Sequence, residues 1–171
     1  MRTSSRTAAG VLAAGLATSL TAALALTATP ATASTPDAST VTAPRGTGSS
    51  ITAWSGTIDS PSAVVLVCQD DHALTVAIPG KAAKYFKKRD AAVTIELSFT
   101  GTTPVDDVDL YVLDQDGNEV ASSATSDPGT EVVTVPVTAA AQYVVRVEGF
   151  VNAPGVTYNA RATLVVTPKV R

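Results

Sequence analysis

The stretch Asp109-Leu110-Tyr111-Val112-Leu113-Asp114-Gln115-Asp116-Gly117-Asn118 predicts a β-strand that runs directly into a tight turn. Because strand side chains alternate between the two faces of a sheet, even-numbered residues point one way and odd-numbered residues the other. Both sets are mostly apolar as far as Leu113, which favours a strand in the interior of a sheet. Asp116-Gly117 then supplies the positive-φ chemistry of a hairpin turn. This stretch therefore predicts a hairpin within a larger sheet.

Further strand-like segments, alternating or rich in β-branched residues, recur along the chain and are separated by Gly, Pro, Asp and Ser. They cover residues 54–58, 63–68, 72–78, 93–99, 119–124, 131–137, 143–148 and 158–166. Residues 81–92 are the one candidate for a helical turn. Many short strands joined by turn residues predict an all-β sandwich or barrel, here of about eight to nine strands.

Residues 1–33 have the features of a secretory signal peptide. Arg2 and Arg6 give a positive start, and residues 11–26 are uncharged and mostly apolar. Ala31-Thr32-Ala33 offers the small residues that a signal peptidase reads. We therefore predict cleavage after Ala33 and a secreted, extracellular protein.

The remaining chain is long enough for one domain. Residues 34–50 are rich in Ser, Thr, Ala and Pro and predict a flexible tail, so that the β-sandwich domain would cover residues 51–171. Removal of residues 1–33 would take away two of the 12 basic residues and none of the 15 acidic residues, which leaves a formal net charge of −5. This charge argues against nucleic acid or an anionic membrane as the partner.

The chain has one cysteine, Cys68, and one histidine, His72. Cys68 cannot form a disulfide within the chain, which leaves a buried thiol or a bond to a second chain. His72 has acidic neighbours, but no G-x-S-x-G nucleophile elbow is present. We therefore expect no enzyme activity, and we expect His72 to be exposed or half-buried at the start of a strand.

Two runs resemble motifs of the bacterial pre-peptidase C-terminal domain. Asp107-Val108-Asp109-Leu110-Tyr111-Val112 matches its D-x-D-L-Y-V strand, and Asp116-Gly117-Asn118 follows. The later run Tyr143-Val144-Val145-Arg146-Val147-Glu148-Gly149-Phe150, followed by Val156-Thr157-Tyr158, is similar to its G-x-Y-x-V-x-V strand and final Y-x-L strand. Ala141 stands in place of the glycine and Ala160 in place of the last leucine. The run from Cys68 to Val76 is also similar to secreted actinobacterial modules. The resemblance covers about residues 74–166, which is most of the chain after the signal peptide.

The resemblance implies an antiparallel, jelly-roll-like β-sandwich of the kind that is appended to exported enzymes without being their catalytic unit. It implies binding of an extracellular protein or polysaccharide, with calcium as a candidate cofactor. An alternative is an accessory or maturation module that acts with an exported protease, and a small hydrolase is the third hypothesis.

Carboxylates form the candidate metal site. Asp107 and Asp109 are two apart on one predicted strand and share a face, whereas Asp114 and Asp116 belong to the turn that follows. Calcium is the extracellular cation that a set of carboxylate ligands would most naturally bind. The alternative is that the turn aspartates shape the turn, and that Asp109 hydrogen-bonds to loop amides or to a basic side chain such as Arg146.

One basic cluster is a candidate polymer-binding site. It comprises Lys81, Lys84, Lys87, Lys88 and Arg89, with Tyr85 and Phe86 among them. These residues suit an anionic polymer such as a cell-wall or matrix polysaccharide, with the aromatic rings as stacking platforms. The alternative is a solvated crossover loop whose two aromatic side chains pack into the core.

Overall fold

The computed structural model describes residues 34–58, 68–100, 107–125, 129–151 and 155–170. In these ranges the elements are β1 (Ala38–Thr42), β2 (Gly48–Ile58), β3 (Cys68–Ala77), α1 (Ala82–Tyr85), β4 (Arg89–Thr100), β5 (Asp107–Leu113), β6 (Glu119–Ser123), β7 (Thr130–Val137), β8 (Ala141–Val151) and β9 (Val156–Pro168). The predicted signal peptide and most of the strand predicted at 63–68 lie outside the described residues. No helix in the described ranges is long and apolar enough to cross a membrane.

The strands form two sheets, which confirms the predicted all-β sandwich. The five-stranded sheet has the order β1-β3-β8-β5-β6, and the four-stranded sheet has the order β2-β9-β4-β7. Every described pair of strands is antiparallel except β1 and β3, which run parallel. The helical turn predicted near residue 81 is α1, on the connection that carries the chain from β3 to β4.

Period-two alternation explains how these strands build the core. On β4, Val93, Ile95 and Leu97 are fully buried, while the residues between them are less buried. Strand β5, in the opposite sheet, likewise has fully buried side chains at alternate positions, namely Val108, Leu110 and Val112. Their side chains belong to one continuous hydrophobic cluster that includes buried residues from both sheets. Burial of this apolar surface is the main favourable term that holds the two sheets together.

The hairpin that begins at Asp109 forms as predicted. Strand β5 lies between β8 and β6 in the interior of its sheet. Gly117 in the turn has a φ of 81°, which a residue with a side chain rarely adopts. Its backbone N–H donates to the Asp114 carbonyl at 3.1 Å, and this bond closes the turn.

The prediction of a flexible tail over residues 34–50 is wrong. Strand β1 lies in this segment and pairs in parallel with β3, from Ala38 opposite Ala73 to Thr42 opposite Ala77. Strand β2 also begins inside the segment, at Gly48. Val41 is buried in the core, which supplies the apolar anchor that the Ser- and Thr-rich composition concealed. In this structure the sandwich therefore begins by residue 38.

Candidate functional site

The four aspartates predicted to bind a metal lie in two places. Asp107 and Asp109 are on β5, whereas Asp114 and Asp116 are in the turn that follows it. In the described ranges no three His, Cys, Asp or Glu side chains are arranged to hold a metal ion. The structure therefore does not assemble three of these aspartates into one ligand set, and calcium binding stays a prediction.

Asp114 organises the turn between β5 and β6. Its Oδ1 accepts hydrogen bonds from the backbone nitrogens of Asp116 and Asn118, both at 2.9 Å. The Asn118 side-chain amide donates to Oδ2 at 3.1 Å. These bonds favour the charged carboxylate and lower the pKa of Asp114, with the Asn118 side chain as the largest cause. Asp114 therefore acts as a turn former in this geometry.

Asp109 has a different partner from the basic side chain that the sequence suggested. The Tyr111 hydroxyl donates to Asp109 Oδ2 at 3.2 Å. Arg146 instead donates to both carboxylate oxygens of Asp71, at 2.7 and 2.9 Å, because the register of β3 and β8 places these two residues opposite each other. Burial raises the pKa of Asp109, and burial followed by the charge of Asp109 raises the pKa of Tyr111 to about 12.

The predicted basic cluster lines a groove of about 960 Å³ at one end of the sandwich. We call it the basic groove and define it by its cationic residues, Arg45, Lys81, Lys84, Lys87, Lys88 and Arg89. Arg45 was not part of the predicted cluster and comes from the loop between β1 and β2. The four lysines are exposed. The fold therefore adds a cation from a distant segment to the cluster that the sequence shows.

Tyr85 and Arg89 hold the groove in shape. Tyr85 is buried, and its hydroxyl donates to the Pro44 carbonyl at 2.7 Å. The Arg89 guanidinium donates to the carbonyls of Tyr85 and Arg45, at 3.3 and 3.1 Å, and lies 4.8 Å from the centre of the Tyr85 ring. Phe86 packs edge-on against Tyr85 and against the core. These aromatic rings therefore serve packing, and the idea that they form a stacking platform is wrong for Tyr85.

The Lys and Arg side chains of the groove differ from those outside it in whether they form ion pairs. The described ranges contain nine basic side chains, six of which line the groove. Each of the other three, Arg146, Arg161 and Lys169, forms an ion pair with an acidic side chain. In the same ranges, none of the six groove cations forms an ion pair. The groove therefore presents positive charge that the described part of the protein leaves without an ionic partner.

A second group of polar residues joins the two sheets inside the sandwich. We call it the buried polar cluster and define it as Ser34, Ser39, Trp54, Asp70, His72 and Tyr158. The sequence analysis did not predict this cluster, although the alternation of residues on β3 could have placed two of its members in the core. Strand alternation that places Leu74 and Val76 in the core also places Asp70 and His72 there.

His72 is fully buried, so the expectation of an exposed or half-buried histidine is wrong. Its ring stacks on the Trp54 indole, with centroids 3.9 Å apart and planes within 3°. Ser34 Oγ lies 3.2 Å from Nδ1, and Ser39 Oγ lies 2.8 Å from Nε2. Burial is the main cause that lowers the pKa of His72. A neutral imidazole between two hydroxyl groups satisfies both ring nitrogens.

Asp70 lies beside this histidine and bonds to other groups. The backbone nitrogen of Ser34 donates to Asp70 Oδ1 at 3.2 Å, and the Tyr158 hydroxyl donates to Oδ2 at 2.6 Å. Asp70 is 1% exposed, and burial raises its pKa. Burial and the bond to Asp70 also raise the pKa of Tyr158. Gly56 leaves room for this pair, because a Cβ there would lie 2.5 Å from Asp70 Oδ2 and from the Tyr158 ring.

The cluster contains the residue types of a catalytic triad without its geometry. A triad needs the carboxylate on the imidazole and an accessible serine. The hydrogen bonds of Asp70 go to Ser34 and Tyr158, while Ser34 and His72 are 3% and 0% exposed. These contacts describe a structural network between the sheets.

Comparisons with known proteins place the chain in no family. No family model matches, and no curated protein matches. Among solved structures, the pre-peptidase C-terminal domain of a collagenase from Bacillus anthracis has 14% identity and a TM-score of 0.44, over 76% of this chain and 94% of that one. PliG of Aeromonas hydrophila, a periplasmic inhibitor of g-type lysozyme, has 11% identity and a TM-score of 0.34, over 76% and 97%. The decameric BFDV capsid protein has 13% identity and a TM-score of 0.39, over 73% and 99%.

Proposed function

We propose that this protein is a secreted, non-catalytic β-sandwich module that binds an anionic extracellular polysaccharide through the basic groove. The observation that carries the proposal is the separation of charges. Basic side chains outside the groove are ion-paired, whereas those in the groove are not, within the described residues. A groove lined by charge of one sign attracts a polymer of the opposite sign.

The chemistry of the groove favours a polymer with spaced negative charges. The four lysines are exposed. A lysine carries its charge as a point on a flexible side chain, which suits carboxylate or phosphate groups without a fixed geometry. The net charge of −5 expected after signal removal disfavours nucleic acid, because the acidic remainder would repel a long polyanion of high charge density. A polysaccharide with fewer charges per unit length is the better match.

A direct test compares binding to polygalacturonate, as the anionic probe, with binding to neutral dextran of similar length. The groove variant is Lys87→Ser with Lys88→Ser, and the control is Arg161→Ser with Lys169→Ser. Both variants remove two positive charges, but only the first removes them from the groove. Arg89 is left in place because it holds backbone carbonyls.

We expect the wild type to bind polygalacturonate and not dextran, with weaker binding as salt rises and screens the exposed charges. Exposed ion pairs contribute about 0.2–1 kcal/mol each, so the groove variant should lose about fivefold in affinity, and the control less than about twofold. Equal losses in the two variants would show that net charge alone governs binding. Either that result or equal binding to dextran would contradict the proposal that the basic groove binds the anionic polymer.

A further inference from the structure

Two independent observations meet at the backbone nitrogen of Ser34. The sequence predicts cleavage after Ala33, which would make Ser34 the first residue of the processed chain. The structure places this same nitrogen 3.2 Å from Asp70 Oδ1, within the buried polar cluster.

Asp70 lacks a cation among the described residues. Its two hydrogen-bond donors, the Ser34 N–H and the Tyr158 O–H, are both neutral in the unprocessed chain. The ion pairs of the described ranges use other carboxylates. A buried carboxylate is unfavourable unless it is paired and hydrogen-bonded.

We propose that removal of residues 1–33 converts the Ser34 nitrogen into an α-ammonium group that forms a buried ion pair with Asp70. Processing would then add an ion pair to the buried polar cluster that connects the two sheets. In chemical terms, water hydrolyses the Ala33–Ser34 peptide bond under a secretory endopeptidase, which leaves a carboxylate on Ala33 and an amine on Ser34. At neutral pH the amine takes up a proton, because an α-amino group has a pKa of about 8.

Neighbouring contacts hold the nitrogen in the position that the ion pair needs. Thr35 pairs with Ser55 on β2 through two backbone hydrogen bonds, of 2.7 and 3.1 Å. On the other side, the Ser34 hydroxyl is 3.2 Å from His72 Nδ1. Ser34 is itself buried, so the new ammonium would lie against Asp70 away from solvent.

The test uses the full chain, secreted and processed by its host, with N-terminal sequencing of the product. A second chain carries Thr-Gly inserted between Ala33 and Ser34, which moves the ammonium away by about 7 Å. Because the peptide-bonded Ser34 nitrogen already reaches Asp70 in the full chain, the insertion leaves that hydrogen bond possible and removes only the charge. Both chains are also made with Asp70→Asn, and thermal unfolding is measured for all four.

We expect the product to begin at Ser34, and the insertion to lower Tm by about 3 °C or more in the Asp70 background. In the Asp70→Asn background, the insertion should change Tm by less than about 1 °C. Equal effects in the two backgrounds, or a product that begins elsewhere, would overturn the proposal.

A measurement on the unaltered protein covers the case in which a variant does not fold. An amine-reactive label at neutral pH should modify the Ser34 α-amine at least about tenfold more slowly in the native protein than in urea, which corresponds to about 1.4 kcal/mol. Labelling at the same rate in both states would equally overturn the proposal. None of these results depends on whether the basic groove binds a polymer.

Discussion

Gly56→Ala provides a sharp test of the packing at the buried polar cluster. Gly56 lies on β2 directly opposite Tyr158 on β9. A Cβ at this position would lie 2.5 Å from Asp70 Oδ2 and 2.5 Å from two carbon atoms of the Tyr158 ring. Comfortable carbon contacts are about 3.5–4.0 Å long, so ring and carboxylate would have to move by about 1 Å or more. Both side chains are 1% exposed, so they cannot move into solvent without leaving the core.

The loss of stability follows from two effects. Overpacking of a filled core costs about 1–3 kcal/mol. Displacement of the Tyr158 hydroxyl from Asp70, where the bond is 2.6 Å, would leave buried polar groups unsatisfied and cost about 1–3 kcal/mol more. The entropy that alanine removes from the unfolded chain offsets only about 0.4–1 kcal/mol. We therefore expect Gly56→Ala to lower the free energy of unfolding by about 1–5 kcal/mol.

Urea unfolding followed by tryptophan fluorescence is the appropriate assay, because the one tryptophan, Trp54, belongs to the same cluster. Gly46→Ala is the matched control, since a Cβ at Gly46 meets nothing within 4 Å and its φ is not in the left-handed region. The control should be within about 0.5 kcal/mol of wild type. If Gly56→Ala is as stable as Gly46→Ala, the close packing of Asp70 against Tyr158 is refuted.

Three further predictions concern other sites. The pKa of His72 is lowered in the folded protein, so the unfolded chain binds the proton more tightly. The free energy of unfolding should therefore fall as pH drops below about 6.5. Urea unfolding from pH 8 to 5 should show a smaller decline in this free energy for His72→Gln than for wild type. If the aspartates bind calcium, Tm should be higher by several degrees in calcium than in a chelator, and Asp107→Asn should abolish the shift. A shift of less than about 1 °C would contradict calcium binding and leave Asp114 as a turn former, since its oxygens already accept turn hydrogen bonds. Arg89→Lys keeps the charge but loses the fork that holds two carbonyls, so it should lower the free energy of unfolding by about 1 kcal/mol and leave affinity for polygalacturonate within about twofold; a larger loss of affinity at unchanged stability would make Arg89 a ligand contact.

The parts of the fold that the sequence predicted are those encoded by neighbouring residues. The strand and turn from Asp109 to Asn118 need only alternation and an Asp-Gly pair, and both signals are local. Strand β1 was missed because its pairing is not local: Ala38 lies opposite Ala73, in a parallel ladder that no turn announces. Its side chains are mostly small and polar, with Val41 as the main buried anchor.

The buried polar cluster was missed for a related reason. Asp70 meets Ser34 and Tyr158, which are 36 and 88 positions away along the chain. No spacing rule brings such residues together, because their meeting depends on how the two sheets pack. Alternation on β3 could have placed the Asp70 and His72 side chains in the core, but not their partners. By contrast, the basic cluster was found because four lysines and Arg89 are close together in the sequence.

The segment from Ser34 to Arg45 connects the two sites that we propose. It begins at the Asp70 carboxylate, runs through β1 along β3, and ends where Arg89 donates to the Arg45 carbonyl. Backbone pairing along β1 and the Arg89 hydrogen bond to Arg45 fix the course of this segment whether or not its first nitrogen is charged. A composition typical of a linker therefore belongs to a strand that links the core of the sandwich to its charged groove. Variants of Lys87 and Lys88 leave this segment untouched, whereas the insertion before Ser34 acts on its first residue alone, so the two proposals stand or fall separately.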